Sequence, residues 1–193
     1  MEEERPQIHR PYPRTITLEG GVTLNMRLMT PGDTNRIVLF ARSLPEDDLL
    51  FLPTDITKAL VVMLWGQNIK AGLTVTVLVE KTNEIVGYAS MHHNEVAWQR
   101  HLGELRVQVG PAYRSKGLGR ALAAEIFAIA HEMGLRKIVA HMTPDQHGAI
   151  ATVKRLGFQQ EALLRDFVID RVGRMRDLIV MTCEVANLAD PRH

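Results

Sequence analysis

The sequence contains a single cysteine, Cys183, which excludes an internal disulfide framework. Reducing, cytoplasmic conditions are therefore expected. Cys183 lies in the apolar run Leu178 to Cys183 and reads as a small core residue. Long hydrophobic runs are also missing: none approaches the roughly 20 apolar residues that span a bilayer. The start, Met1 to Arg14, is acidic and then proline-bearing, with nothing resembling the apolar segment of a secretory leader. Nor is there an excess of charge of one sign. With 23 Lys and Arg against 22 Asp and Glu, the formal net charge is +1, which argues against nucleic acid or an anionic membrane as partner. Internal repeats and low-complexity segments are absent. What is present is ordinary for a globular chain: 193 residues, 46% hydrophobic and 23% charged. That length suits one domain with a substantial core and would be cramped for two.

Residues 1–21 carry three early glutamates, Pro6, Pro11, Pro13 and a Gly-Gly pair, and read as a flexible N-terminal arm. The domain is expected over 22–187, with a short tail at 188–193. Val22 to Leu28 reads as a strand, and Pro31-Gly32-Asp33 opens a helix carrying Ile37, Leu39, Phe40 and Leu44. A second helix runs from Asp55 to about Gln67, with Ile56, Leu60, Met63 and Leu64 on one side. Leu73 to Glu80 and Glu84 to His92 form a hairpin about Lys81-Thr82-Asn83. Gly103 to Val109 is a strand ended by Gly110-Pro111. The clearest helix is Leu118 to Met133, amphipathic and stopped by Gly134. Lys137 to His141 reads as a strand, and Asp145 as the N-cap of a helix ending at Leu156-Gly157. Phe158 to Ile169 and Met175 to Val185 make the closing hairpin. The order β-α-α-β-β-β-α-β-α-β-β predicts a single α/β domain: a mixed, mostly antiparallel sheet of about seven strands with helices on both faces.

Chemistry concentrates between Val107 and Leu122. A strand runs into a loop with Arg114, Lys116, Gly117 and Gly119, and a helix begins at once. Amides at a helix start lack intrahelical partners, and the helix dipole adds partial positive charge. Glycines let that backbone come close to a ligand. With Arg114, Lys116 and Arg120 nearby, the segment describes a cradle for a diphosphate. A P-loop is excluded because Ser115 stands where the second glycine belongs, and a dinucleotide fingerprint because Leu122 stands where the third does.

Arg114-Ser-Lys-Gly117-Leu-Gly119 resembles the acyl-CoA-binding motif [QR]-x-x-G-x-[GA] of the GNAT superfamily of N-acetyltransferases. Its setting matches too: a preceding strand, a following helix, then strand, helix and Leu156-Gly157-Phe158, similar to the family's second motif. The resemblance extends from about Val22 to Val185. It implies acetyl-CoA as co-substrate, no metal, and acetyl transfer to a primary amine by direct transfer in a ternary complex. It also implies that the backbone of Val107 and Val109 pairs with the pantetheine arm. The backbone of Arg114, Ser115, Lys116, Gly117, Leu118, Gly119 and Arg120 would hold the pyrophosphate. Gln146 stands where the family often has Asn, and can make similar amide hydrogen bonds with longer reach. Val153 stands where the family often has the tyrosine that protonates the departing thiolate, so that role has no counterpart here.

Acetyl transfer requires a neutral amine, and a lysine-like amine is neutral in only about one molecule in 2,500 at pH 7. A base is therefore useful. Glu104, at the start of the strand beside the thioester, resembles in position the glutamate that many relatives use, directly or through water. His92 and His93 point to opposite strand faces and cannot easily share a metal. Glu46, Asp47 and Asp48 follow the first helix, where relatives place acceptor-binding residues. The acceptor is a small-molecule amine or a protein amine, longer acyl groups stay open because Ala149, Ile150 and Val153 are small or apolar, and a homodimer is left open. The competing reading is a non-catalytic acyl-CoA sensor or assembly module.

Overall fold

A computed structural model describes residues 8–50 and 52–187. Five α-helices and eight strands, with three short 3-10 helices, follow one another in these residues. The first five α-helices and strands are β1 (Arg14–Thr17), β2 (Thr23–Leu28), α1 (Thr34–Ser43), α2 (Glu46–Leu49) and α3 (Ala59–Lys70). Next come β3 (Thr74–Lys81), β4 (Glu84–His93), β5 (Leu102–Val109) and α4 (Leu118–Glu132). The chain continues through β6 (Lys137–Met142), α5 (His147–Arg155), β7 (Gln159–Ile169) and β8 (Met175–Glu184). The strands form one 8-stranded sheet in the order β1-β2-β3-β4-β5-β6-β8-β7. Every neighbouring pair is antiparallel except β5 with β6.

The strands alternate between two apolar layers, as a pleated sheet covered on both faces requires. One face presents Val77, Val79, Ala89, Met91, Leu105, Ile138 and Met181 to α4, whose Leu118, Leu122, Ile126 and Ile129 are fully buried there. Each such side chain contributes about 1.5–3 kcal/mol through burial. The other face presents Leu78, Ile85 and Tyr88 to α1 and α3 through Ile37, Phe40, Val62 and Trp65. The β3–β4 turn places Thr82 and Asn83 at φ of 47° and 69°, the backbone of a two-residue type I′ hairpin in which Asn is well tolerated. Gly134 closes α4 at φ 70°, as the sequence suggested.

Four expectations are corrected. The arm is not loose over its described part, because Arg14–Thr17 pairs with Thr23–Met26 as the first strand of the sheet. Arg10, Tyr12 and Arg14 clamp Glu125 of α4, so the proline-rich lead-in is fastened by a buried carboxylate that the helical pattern had placed on the polar side. Residues 1–7 and the tail at 188–193 lie outside the described residues. α3 begins four residues later than Asp55 and turns Val62, Trp65 and Gly66 inward. Leu60, Met63 and Leu64 are exposed, because the helix docks through its tryptophan: Trp65 Nε1 donates to Thr76 Oγ1 at 3.0 Å. Asp145 is not the N-cap of α5, which starts after Gln146; its carboxylate pairs instead with Arg176 at 3.0 Å.

Candidate active site

The parallel pair β5–β6 holds only three register partners, Leu102↔Lys137, Gly103↔Ile138 and Glu104↔Val139. Beyond Glu104 the two strands part. β5 stays paired with β4 as far as Val109, and β6 stays paired with β8 as far as Met142. The sheet therefore opens into a wedge-shaped cleft whose β5 wall, from Arg106 to Val109, has one edge without a strand partner. Unpaired strand edges carry backbone donors and acceptors that need a partner. Val107 and Val109, the expected backbone contacts for a coenzyme arm, lie on that wall.

The loop expected to cradle a diphosphate lies at the far end of β5. Ser115 takes φ of 57° and Gly117 φ of 85°, a pair of left-handed residues that turns the backbone sharply into α4. Gly117 is the N-cap, and its conformation is one that L-residues rarely adopt. Gly119 is different: a Cβ there would meet Val109 Cγ2 at 3.6 Å, an ordinary contact, so small size rather than backbone freedom is what the position can use. The N–H groups of Ser115, Lys116, Gly117, Leu118, Gly119 and Arg120 donate to no acceptor among the described residues. They form a nest of donors with the dipole of a 15-residue helix behind it. Lys116 Nζ bonds the Ala112 carbonyl at 2.8 Å, and Lys116 O accepts from Glu19 N at 3.3 Å, which braces the loop against the β1–β2 turn. Arg114 Nε donates to the Val109 carbonyl at 3.1 Å, and its guanidinium also pairs with Asp48.

Gln146 sits on the other wall. Its side-chain oxygen accepts from the Thr143 N–H at 3.0 Å, so its amide nitrogen is the group left for a ligand. Val153 is buried in the apolar cluster that includes the inward side of α4.

On the face opposite α4, the polar residues line up by register. His92 of β4 is opposite Glu104 of β5, Ser90 is opposite Arg106, and Thr74 of β3 is opposite His92. Both ring nitrogens of His92 are engaged, with Thr74 Oγ1 at 3.2 Å and Ser90 Oγ at 2.9 Å. Burial, helped by the charge of Arg106, pushes its pKa down to about 4, so His92 is neutral at pH 7. Glu104 takes the Arg106 guanidinium at 3.0 Å and lies 3.9 Å from His141 Nδ1 on β6. Burial works to raise its pKa, but His141 and Arg106 outweigh this and hold it at about 2. A carboxylate so acidic is a fixed negative charge and a weak proton acceptor.

The acidic stretch after α1 forms α2, which is tied to β5 and to the β7–β8 hairpin. Gln108 Nε2 donates to the Asp48 carbonyl at 3.1 Å, and Arg171, at the tip of the β7–β8 hairpin, donates to Glu46 Oε2 at 2.8 Å. α2 thus links the diphosphate loop to the hairpin. Beside the start of β8, Pro144, Asp145, His147, Met175, Arg176 and Asp177 line an open cavity of about 430 Å³. The sequence did not single out His141 or Arg106 as site residues. Their signal was their alternation with Glu104 and Val139, which carries meaning only once β5 and β6 are known to be neighbours.

A model described as the acetyltransferase (GNAT) family matches residues 44–158. The L-amino acid N-acyltransferase MnaT of Escherichia coli strain K12 is 31% identical over 121 residues, which cover 60% of this chain and 67% of that protein. Among solved structures, yncA of Salmonella typhimurium with its cofactor acetyl-CoA superposes with a TM-score of 0.74 at 23% identity, covering 87% of this chain and 97% of that one. The GNAT-family acetyltransferase of Streptococcus pneumoniae superposes with a TM-score of 0.73 at 20% identity, covering 83% and 99%. At these identities the structural likeness establishes the fold.

Proposed function

This chain belongs to the GNAT acetyltransferase family, and from that premise we propose that it moves an acetyl group from acetyl-CoA to a primary amine within a ternary complex. The observation that carries the reading is the parting of β5 from β6 after Glu104, with a nest of free N–H groups at the end of the same strand. The residues fit the group. The amides of Ser115 to Arg120 would hold the diphosphate, with Arg114 released from Asp48 to add charge. The free edge at Val107 and Val109 would take the pantetheine arm, and Gln146 Nε2 would face it from the opposite wall. Acetyl-CoA supplies the acetyl thioester. The protein positions it, and the carboxylates of Glu104, Glu46 and Asp48 draw a cationic amine to the open side of the cleft. That an E. coli relative is named as an L-amino acid N-acyltransferase supports an amine as acceptor.

The test is calorimetric titration with acetyl-CoA beside a thiol-release assay over a panel of amines that includes free amino acids. Stoichiometric binding and release with at least one amine are expected. In Gly119→Val the two added methyl groups occupy the groove beside Val109, and binding should be lost while the circular dichroism spectrum is unchanged. Unaltered affinity in that variant would show that the diphosphate lies elsewhere. The core position of Val153, where relatives carry a phenol, favours one second reading: a protein that binds acyl-CoA without turnover. Binding without thiol release for any amine would select it.

A further inference from the structure

We infer that His141 is the catalytic proton acceptor of the acetyl transfer, with Glu104 as its fixed anionic partner; this rests on the acetyltransferase reading above. The geometry separates two histidines that flank one carboxylate. His92 has both nitrogens engaged and is half-buried beside Trp65, whose ring centroid is 6.5 Å away. His141 stands two residues past Val139, the last β6 residue that pairs with β5, so it projects where the sheet has opened. Its side chain is 42% exposed, its Nδ1 lies 3.9 Å from Glu104 Oε1, and its Nε2 makes no hydrogen bond among the described residues. It thus has a carboxylate on one side and an exposed face on the other.

An imidazole is the side chain suited to accept and release a proton near neutral pH. In the reaction, the amine nitrogen forms the new C–N bond to the acetyl carbon. The thioester C–S bond breaks and its electron pair goes to sulfur. The proton shed by the amine passes to the free imidazole nitrogen, and from there to the thiolate or to solvent. The charged groups on the neighbouring strands of this sheet face include Glu104 and Arg106 on β5, Lys137 on β6, Glu161 on β7, and Arg176 and Glu184 on β8. Lys137 is itself held by Glu184 at 3.0 Å, and Arg176 by Asp145 at 3.0 Å, which leaves Glu104 as the charge that acts on His141 at short range.

The test compares wild type with His141→Gln and His141→Ala. The Gln variant should lower kcat/KM at pH 7 by about 10² to 10⁴-fold, the usual worth of a positioned base. Its acid-side fall in kcat/KM should disappear, leaving a rate that climbs with deprotonation of the amine. Added imidazole should restore part of the rate in His141→Ala, and the affinity for acetyl-CoA should be unchanged in both. A readout independent of turnover is carbethoxylation by diethyl pyrocarbonate, located by peptide mass spectrometry: acetyl-CoA should slow modification of His141. An active wild type with an equally active His141→Gln, or labelling indifferent to acetyl-CoA in a protein that binds it, overturns the assignment to His141 and leaves the acetyltransferase reading standing. A wild type that binds no acetyl-CoA overturns both.

Discussion

Glu125 on α4 and Glu104 on β5 are both carboxylates held by cationic and hydrogen-bonding partners, and they differ in whether that set of partners is complete. Glu125 is 3% exposed and takes Arg10 Nε at 2.7 Å, Tyr12 Oη at 2.5 Å and Arg14 at 3.0 Å. Every direction around it is filled, by groups 111 to 115 residues away in sequence. Glu104 has one close guanidinium and one imidazole at 3.9 Å, and it opens onto the cleft. In both, contact with positive or donor groups outweighs burial and lowers the pKa. A lowered pKa therefore does not mark a functional carboxylate. An incomplete set of partners beside an opening in the sheet does.

That contrast predicts opposite responses to mutation. The largest effect on stability is expected at the completed cluster. Glu125→Ala leaves Arg14 without a counter-charge and Arg10 with only its 3.8 Å contact to Glu132, and it loosens the N-terminal strand from α4. Breaking a buried charge cluster costs about 3–5 kcal/mol, and partial exposure of the arginines places this one near the lower end. The melting temperature should fall by roughly 6–12 °C with acetyl-CoA affinity unchanged, measured by calorimetry. A shift below about 2 °C would mean that the clamp is ornamental.

Glu104→Gln should do the reverse. Its stability should stay within about 1 kcal/mol of wild type, because the pair is half-exposed and the amide can still accept from Arg106. Its turnover should drop about tenfold to a hundredfold, since His141 loses the carboxylate 3.9 Å from its Nδ1. A large loss of stability with normal turnover would turn Glu104 into a second Glu125.

The third test is acid, and its effect is the mildest because it is spread over several groups. Asp33, engaged by Arg27 and Arg36, and Glu104 both have folded-state values near 2, below their usual values of 3.8 and 4.5. For Asp33, burial opposes the charge and the bonds from Arg27 and Thr30 outweigh it. A depressed carboxylate stabilises the fold fully above its unfolded value and loses that contribution as pH falls through its folded value. Melting temperature should therefore be flat above about pH 5 and decline toward pH 2. Glu125→Gln should start lower on the plateau and decline less steeply, because its own lowered pKa no longer contributes. Parallel curves would show that Glu125 is not titrated on unfolding.

Much of this protein was legible in the chain itself. Local signals set the amphipathic α4, its glycine stop, the Thr82-Asn83 turn and the diphosphate loop, because each depends on residues within one or two turns of each other. Those signals were enough to name the fold and the coenzyme class. Tertiary structure decided whatever depends on partners far apart in sequence. The proline-bearing arm became a strand and a clamp because Glu125, more than a hundred residues on, gives it charge to hold. The exposed side of α3 was settled by Trp65 finding Thr76, against an apolar pattern that pointed the other way. Glu104 could be picked out from sequence, but its acidity came from Arg106 and His141, and the nearness of His141 followed only when two strands separated by a helix paired for three residues and then diverged.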